Sequence, residues 1–318
     1  MITLNTDKGL VKISSWQDVI ERPGFTSRLN TKKEKLKAII GNYTFGDKKN
    51  CGLSNCNTAH NNGYLVVTNT GVETNIGKDC GMKYFGVEFQ NQKKIYDASV
   101  TEMNNRERLW EFNFQLDELN NVIEQIDSSA YGARWCYATL SMFSHPTSGI
   151  PDRIRDHLYK MKKQRSSELV REYAISKEEI SSLKNSLGSK YGNEIMGNLS
   201  GFSALYHENE IRELLVSQIK KPISNFEKLD IDSLSQKELK HAVKMISKID
   251  SSMDNLRGSV IDHVEFLKPQ NIKQLEYLLV DKDEKERLHV VVSNLAKSIK
   301  KESHKKRTES WTIEQPTT

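Results

Sequence analysis

The chain has few cysteines and no long hydrophobic segment. Only 4 of its 318 residues are cysteine, and three of them lie close together, which does not suit a disulfide framework. No run of about 18 apolar residues is present, so we expect no membrane-spanning helix. The N-terminus also lacks the basic and then apolar order of a secretory signal. These absences predict a cytoplasmic protein without a membrane partner.

Sequence motifs of the common enzyme classes are also missing. The chain has no Walker loop, no GxGxxG motif after a strand, no HExxH and no GxSxG. Its many acidic residues alternate with lysines on the predicted helices, as they do on solvent-exposed faces. An enzyme is therefore the least favoured class, although a carboxylate site assembled across helices stays open.

Charge, by contrast, is plentiful. Charged residues make up 28% of the sequence and hydrophobic residues 36%, which favours a helical protein with much exposed surface. The formal net charge of +5 is spread over many residues. Such a mild positive charge permits binding to nucleic acid but does not by itself indicate it.

The segment from residue 51 to residue 86 holds three of the four cysteines together with a histidine. Thiolate sulfur and imidazole nitrogen are ligands that zinc prefers, and four of them form a tetrahedral site. We predict that Cys51, Cys56, His60 and Cys80 bind one structural Zn²⁺, with a tight turn between the first two cysteines. A shell made only of protein atoms leaves no open position for a reacting water.

Other interpretations of the same residues stay open. The cysteines can be free thiols in a core, whereas a disulfide between Cys51 and Cys56 is less favoured because nothing else indicates an oxidising compartment. His60 can be an exposed loop residue. In that case His145, His157 or a water molecule would complete the metal shell.

The residues around this segment predict a knuckle, a hairpin and a helix, in that order. Tyr64–Thr68 and Val72–Ile76 have strand composition, and the Asn69-Thr70-Gly71 segment between them is typical of a hairpin turn. Cys80 lies where a short helix over 81–85 begins, and the free N–H groups at a helix start stabilise a thiolate. This order is the outline of a treble clef or a zinc ribbon.

The same segment resembles the small zinc modules of uncharacterised bacterial and phage proteins, which share a pattern of Cys, Cys, His, Thr-Gly-x-Glu and Gly-x-x-Cys. In this sequence the first two cysteines are further apart and the histidine is offset. The resemblance covers only residues 51–86 and implies a structural metal, without an assigned activity. The matching positions are Cys51, Cys56, His60, Thr70, Gly71, Glu73, Ile76, Gly77 and Cys80.

For the whole chain we predict an α+β fold with three parts. Residues 1–97 form a zinc-containing α+β domain that begins with a hairpin over Ile2–Ile13 and includes a lysine-rich helix over Lys32–Ile40. Residues 98–299 form a helical bundle, because apolar residues recur there every three or four positions, as in coiled coils. Residues 300–318 form a basic tail that we expect to be disordered, with Trp311 alone in it.

Two capping boxes, Ser176–Glu179 and Ser235–Glu238, predict helix starts inside the bundle. The second opens the longest predicted helix, whose apolar stripe runs from Leu239 to Leu267 and ends before Pro269. Such stripes pack on one another within one chain, which we favour, or join two chains in a homodimer.

Basic residues in both parts of the chain suggest a nucleic-acid partner. In the N-terminal domain aromatic residues interleave with them, as on surfaces that contact phosphates and stack on bases. The competing interpretation is a solvated lysine surface over an aromatic core. The second functional hypothesis is a protein-interaction factor, such as a phage or mobile-element protein that modulates a host complex. The candidate nucleic-acid contacts are Lys32, Lys33, Lys48, Lys49, Lys78, Lys83, Arg153, Arg155, Lys162 and Lys163.

Overall fold

The computed structural model describes residues 1–6, 9–56, 58–145, 147–174 and 191–308. Within them the protein is mixed α+β, with an antiparallel sheet near the N-terminus and a largely helical C-terminal part, as predicted. The chain divides into two compact units. Met1–Glu111 and Asp230–Val243 form the first unit, and Phe112–Leu229 and Lys244–Thr318 form the second. The periodicity of the sequence does not reveal that the first unit is discontinuous.

The first unit is built on a 5-stranded antiparallel sheet with the strand order β2-β1-β3-β4-β5. The predicted N-terminal hairpin is confirmed by the pairing of Ile2 with Ile13. Helix α2 covers the sheet, because its Phe89 and Tyr96 are buried together with Val66 of β4. The elements of this unit are β1 Ile2–Thr6, β2 Gly9–Ile13, α1 Gln17–Ile20, β3 Leu36–Asn50, β4 Ala59–Thr68, β5 Glu73–Ile76 and the greater part of α2 Lys78–Phe114.

The prediction of a helix over Lys32–Ile40 is wrong, because the chain enters β3 at Leu36. Apolar residues spaced by three and four indicated a helix, but here that spacing comes from β-bulges. The pairing with β4 shifts register between Leu36 and Ala38 and again between Ile39 and Gly41. Each bulge adds an unpaired residue, so the buried positions no longer alternate strictly.

The elements around residues 51–86, the segment that holds the three cysteines, follow the predicted order with different bounds. Strand β4 begins at Ala59, so His60 lies in a strand and not in a loop. Gly71 occupies the β4–β5 turn with a φ of 84°, as the turn chemistry predicted. Helix α2 begins at Lys78 and is much longer than the predicted 81–85. Its helical geometry is interrupted at Gly86, where φ is 56° and ψ is −130°.

The second unit is mainly helical. Its main core lies between α5 (Asp152–Gln164), α9 (Lys282–Thr308) and the segments that join α7 (Gln236–Phe266) to α9. Ile154 and Leu158 of α5 are buried there with Phe266, Leu288 and Leu295. Residues of α7 up to Val243 belong to the first unit. The helices are α3 Leu116–Ser128, α4 Ala133–Leu140, α5 Asp152–Gln164, a π-helix over Glu213–Lys220, α6 Lys221–Phe226, α7 Gln236–Phe266, α8 Pro269–Lys273 and α9 Lys282–Thr308.

The stripe and the second capping box predicted for α7 are observed. The Ser235 hydroxyl and backbone N–H both donate to the Glu238 carboxylate, at 2.6 and 2.9 Å. Ile249 and Leu256 are fully buried within this chain, in agreement with an intramolecular role for the stripe. The homodimer stays a prediction.

Two expectations for the C-terminal half were wrong. A hairpin of β6 Glu168–Ala174 and β7 Tyr191–Asn198, which was not predicted, interrupts the mainly helical bundle. Residues 300–308, predicted as disordered, continue helix α9. The capping box at Ser176–Glu179 and the tail residue Trp311 lie outside the described residues.

Candidate metal centre

Three elements of the first unit bring three cysteines to one point. Cys51 directly follows β3, Cys56 precedes β4, and Cys80 lies in the first turn of α2. Their Sγ atoms all lie within 4.8 Å of one another, and those of Cys56 and Cys80 are 3.3 Å apart. Two sulfurs on one tetrahedral zinc are about 3.8 Å apart, given a Zn–S bond of about 2.3 Å. The three thiols therefore lie close enough together to share one metal ion.

The knuckle between Cys51 and Cys56 is fixed by backbone hydrogen bonds. The N–H of Cys56 donates to the carbonyl of Leu53 at 3.1 Å, which closes a tight turn. The N–H of Gly52 donates to the carbonyl of Asn75 in β5 at 2.7 Å. A Cβ at Gly52 would collide with Oγ1 of Thr74 and lie 2.9 Å from Oδ1 of Asn75. Only glycine at this position lets the knuckle approach β5, and this approach places Cys51 beside the start of α2.

The electrostatics of the three thiols differ. Burial raises the pKa of Cys51, although the backbone N–H groups of Leu53 and Gly77 act in the opposite direction. Hydrogen bonding with Thr58 lowers the pKa of Cys56 to about 7. Burial, together with the hydrogen bond to Cys56, raises the pKa of Cys80 to about 12. Three thiolates this close repel one another, and a bound cation reverses that penalty and deprotonates coordinating thiols.

His60 does not join the three cysteines in this group, although it lies beside it. A Cβ at Gly77 would be 3.3 Å from the His60 Nε2 atom, and the N–H of Gly77 donates to Cys51. The Nε2 atom is buried and has no hydrogen-bond partner. Burial lowers the pKa of His60, so the ring is neutral, as a metal ligand must be. An orphaned ring nitrogen next to a cysteine cluster fits a fourth ligand.

The other ring nitrogen of His60 already has a partner. Its Nδ1 is 3.1 Å from the hydroxyl of Tyr43, which also accepts a hydrogen bond from Asn75 at 3.0 Å. In the tautomer that frees Nε2 for a metal, Nδ1–H donates to Tyr43. Metal-ligating histidines commonly hold their second nitrogen in this way.

The other candidate ligands make local contacts in the second unit. The Nδ1 atom of His145 is 2.9 Å from the Thr147 hydroxyl, and that of His157 is 2.8 Å from the carbonyl of Arg153. Cys136 is fully buried and is not part of the cluster, as its interpretation as a core residue predicted.

Comparison with known protein families, with curated proteins and with solved structures found no match to this chain. Within the described residues, none of the helices is both long enough and apolar enough to cross a membrane.

The predicted nucleic-acid contacts of the first unit do not form a stacking surface. Lys32, Lys33, Lys48, Lys78 and Lys83 are exposed, but Lys49 is half-buried with its Nζ 5.4 Å from the centre of the Phe45 ring. Of the aromatics predicted to stack, Tyr43 is buried and the others, Phe45, Tyr64, Tyr84 and Phe85, are half-buried. This arrangement is closer to the competing interpretation of lysines over an aromatic core.

In the second unit, α5 presents Arg153, Lys162 and Lys163 to solvent. The guanidinium of Arg155 is already occupied by local contacts, because it donates to the carbonyl of Ile150 at 2.8 Å and pairs with Asp152. The sequence predicted the basic cluster that begins at Lys300, but as part of a disordered tail that could bind nucleic acid and not as a stripe on helix α9. The signal was present in the helical spacing of its exposed members, which are Lys297, Lys300, Lys301, His304 and Lys305.

Proposed function

We propose that this protein is a non-enzymatic binding protein in which a structural Zn²⁺ stabilises the first unit and basic helices of the second unit bind nucleic acid. The metal part rests on the cluster of Cys51, Cys56 and Cys80. Sulfur donors select soft or borderline ions, and Zn²⁺ with three sulfurs and one imidazole is a common structural site. The knuckle, the hairpin and the cysteine at a helix start agree with a treble clef or zinc ribbon.

If the ion is zinc, no coordination position remains open for a water molecule or a substrate. Cys51, Cys56, Cys80 and His60 would fill the four positions, and a site without an open position supplies folding energy rather than catalysis. Elemental analysis of the purified protein tests this part, with one zinc per chain expected.

One observation carries the nucleic-acid part: exposed cations on α5 and α9 have no acidic partner among the described residues. Phosphates of a nucleic acid would neutralise such cations and release bound counterions. On α9 two cations follow Lys297 by three and four residues, which places all three on one side of the helix. The residues concerned are Arg153, Lys160, Lys162, Lys163, Lys297, Lys300 and Lys301.

A salt series of fluorescence anisotropy with a labelled duplex tests this proposal. Exchange of Lys297, Lys300 and Lys301 for glutamine should lower the slope of log affinity against log salt by about two to three. A matched variant with Lys32, Lys33 and Lys48 exchanged for glutamine removes the same charge from exposed positions of the first unit and should change the slope less. Absence of binding to both duplex and single strand at low salt would exclude a nucleic-acid partner.

A protein partner is the second candidate, favoured by large apolar side chains in solvent. Val87 and Ile95 on α2 are 72% and 61% exposed. A partner that covers them would explain why they are not polar. Pull-down from the native host, followed by mass spectrometry and nucleic-acid extraction, compares the wild type with a Val87→Ser/Ile95→Ser variant. A protein lost only from the variant would support this candidate.

A further inference from the structure

The second unit contains a groove of about 750 Å³ beside α5. Helix α4, the turn after it and the short 3₁₀ segments over residues 202–209 form its other walls. Tyrosines, basic side chains and hydrogen-bond acceptors share the lining. The residues used below are Tyr137, Tyr159, Lys162, Tyr206, Asp156, Glu210 and His263.

The tyrosines of this groove are unusually accessible. Tyr159 is 59% exposed and Tyr137 is 42% exposed, while Tyr206 is half-buried. Cations lie near two of the rings, with Lys163 Nζ 4.6 Å from the ring centre of Tyr159 and Arg165 Cζ 4.8 Å from that of Tyr206. Exposed rings next to cations are the arrangement on which unpaired bases stack while their phosphates are neutralised.

The charged side chains that line the groove are of both signs. Lys162 supplies a cation without an acidic partner among the described residues, and Arg165, beside the Tyr206 ring, pairs with Glu208 at 2.5 Å. Asp156 and Glu210 line the groove as well. These carboxylates would repel an acidic peptide, but they can accept hydrogen bonds from the amino groups of bases.

His263 adds another acceptor to the lining. Its Nδ1–H donates to the carbonyl of Ser259 at 2.7 Å, which leaves Nε2 as the free nitrogen of the ring. Burial lowers the pKa of His263, so the ring is neutral near pH 7. A neutral ring in this tautomer carries a lone pair on Nε2 and no charge, and the residue as a whole is 2% exposed. The groove thus offers rings, cations and acceptors, which matches the faces, phosphates and edges of an unpaired nucleotide.

We propose that this groove binds single-stranded nucleic acid, with bases stacked on Tyr159 and Tyr137 and phosphates held by Lys162 and Lys163. A duplex does not fit this role, because its base faces are already covered by stacking. The inference deepens the proposed function and rests on it, since the same helix α5 carries the lysines.

The test is anisotropy of a labelled oligothymidine and of a labelled duplex of equal length. Tyr159→Ala should weaken single-strand binding at least about fivefold, and Tyr159→Phe should retain it within about twofold. Duplex binding should be unchanged in both variants. Tyr173→Ala is the matched control, because Tyr173 is 42% exposed, as Tyr137 is, belongs to the same unit and lies outside this groove. Circular dichroism and thermal melts establish that each variant is folded, and Lys162→Gln provides a second variant.

The outcomes distinguish a failure of the groove as the binding site from a failure of the proposed function. If single-strand binding survives Tyr159→Ala and Lys162→Gln but still falls steeply with salt, the groove is not the site and the proposed function stands. If neither nucleic acid binds the wild type, both fail. If a polyglutamate peptide binds instead and Tyr159→Ala abolishes that binding, the groove is a peptide site and this inference is overturned.

Discussion

Exchange of one cysteine should remove the metal and loosen one part of the first unit. Cys80 is the sole member of the cluster contributed by α2, and the other two come from the knuckle. In Cys80→Ser a hydroxyl replaces the sulfur, which binds zinc much more weakly at neutral pH. The link between the knuckle and the start of α2 is then lost.

The magnitude follows from the length of chain that the metal closes. Cys51 and Cys80 bound to one ion close a loop of about 30 residues, and a cross-link over such a loop stabilises a fold by about 3–4 kcal/mol. We therefore expect Cys80→Ser to lower the free energy of unfolding by that amount in zinc-containing buffer, with a melting temperature roughly 10 °C lower. In a chelator the difference between variant and wild type should shrink to less than about 1 kcal/mol.

Urea unfolding of both proteins with and without chelator measures this difference, and hydrogen exchange locates it. Amides of residues 41–90 should lose protection in the variant, whereas those of α5 should keep theirs. Cys136→Ala is the control, because it removes a cysteine outside the cluster and should retain one zinc per chain. The reasoning would be refuted if Cys80→Ser retained zinc, or if a chelator left the free energy of unfolding of the wild type unchanged.

Three further predictions concern single residues. Gly52→Ala should destabilise the first unit by about 1–3 kcal/mol through overlap with Thr74, and an unchanged urea midpoint would contradict the packing argument. Ser235→Ala should cost about 1 kcal/mol by removing the cap of α7, as thermal melts can establish. Burial depresses the pKa of His263 below its usual 6.5, so the unfolded chain binds more protons and stability should fall as the pH drops below about 6.5. His263→Gln should flatten that part of the stability profile, and an equal loss in the variant would rule this cause out.

The sequence predicted local features whose chemistry acts over a few residues. The Ser235–Glu238 capping box, the turn at Gly71 and the helix start after Pro151 each depend on side chains within one turn, and each is observed. The proximity of Cys51 and Cys56 was predictable in the same way, whereas Cys80 reaches them through the pairing of β4 with β5 and was predicted from the preference of zinc for four ligands.

Features that depend on distant partners could not be predicted in the same way. The segment at Leu36–Ile40 has the spacing of a helix, and only its bulged pairing with β4 makes it a strand. Strand β6 has mixed composition, and its pairing partner β7 is separated from it by residues 175–190, which lie outside the described residues. Local propensity is a weak prior when tertiary pairing decides the outcome.

The candidate site shows the same limit. The sequence placed stacking aromatics among the lysines of the first unit, where Tyr43 is in fact buried. An exposed tyrosine next to a cation occurs instead on α5, because Ile154, Leu158 and Met161 turn the apolar face of α5 inward and leave Tyr159 outside, beside Lys163. Composition gave the residue types, but burial decides which of them a ligand can reach.

X-ray absorption at the zinc edge of the purified wild-type protein tests the central claim most directly. A first unit organised by one bound ion predicts one zinc per chain, with three sulfur neighbours at about 2.3 Å and one nitrogen at about 2.0 Å. A metal-free protein with residues 41–90 fully protected from exchange, or a zinc with fewer than three sulfur neighbours, would contradict it.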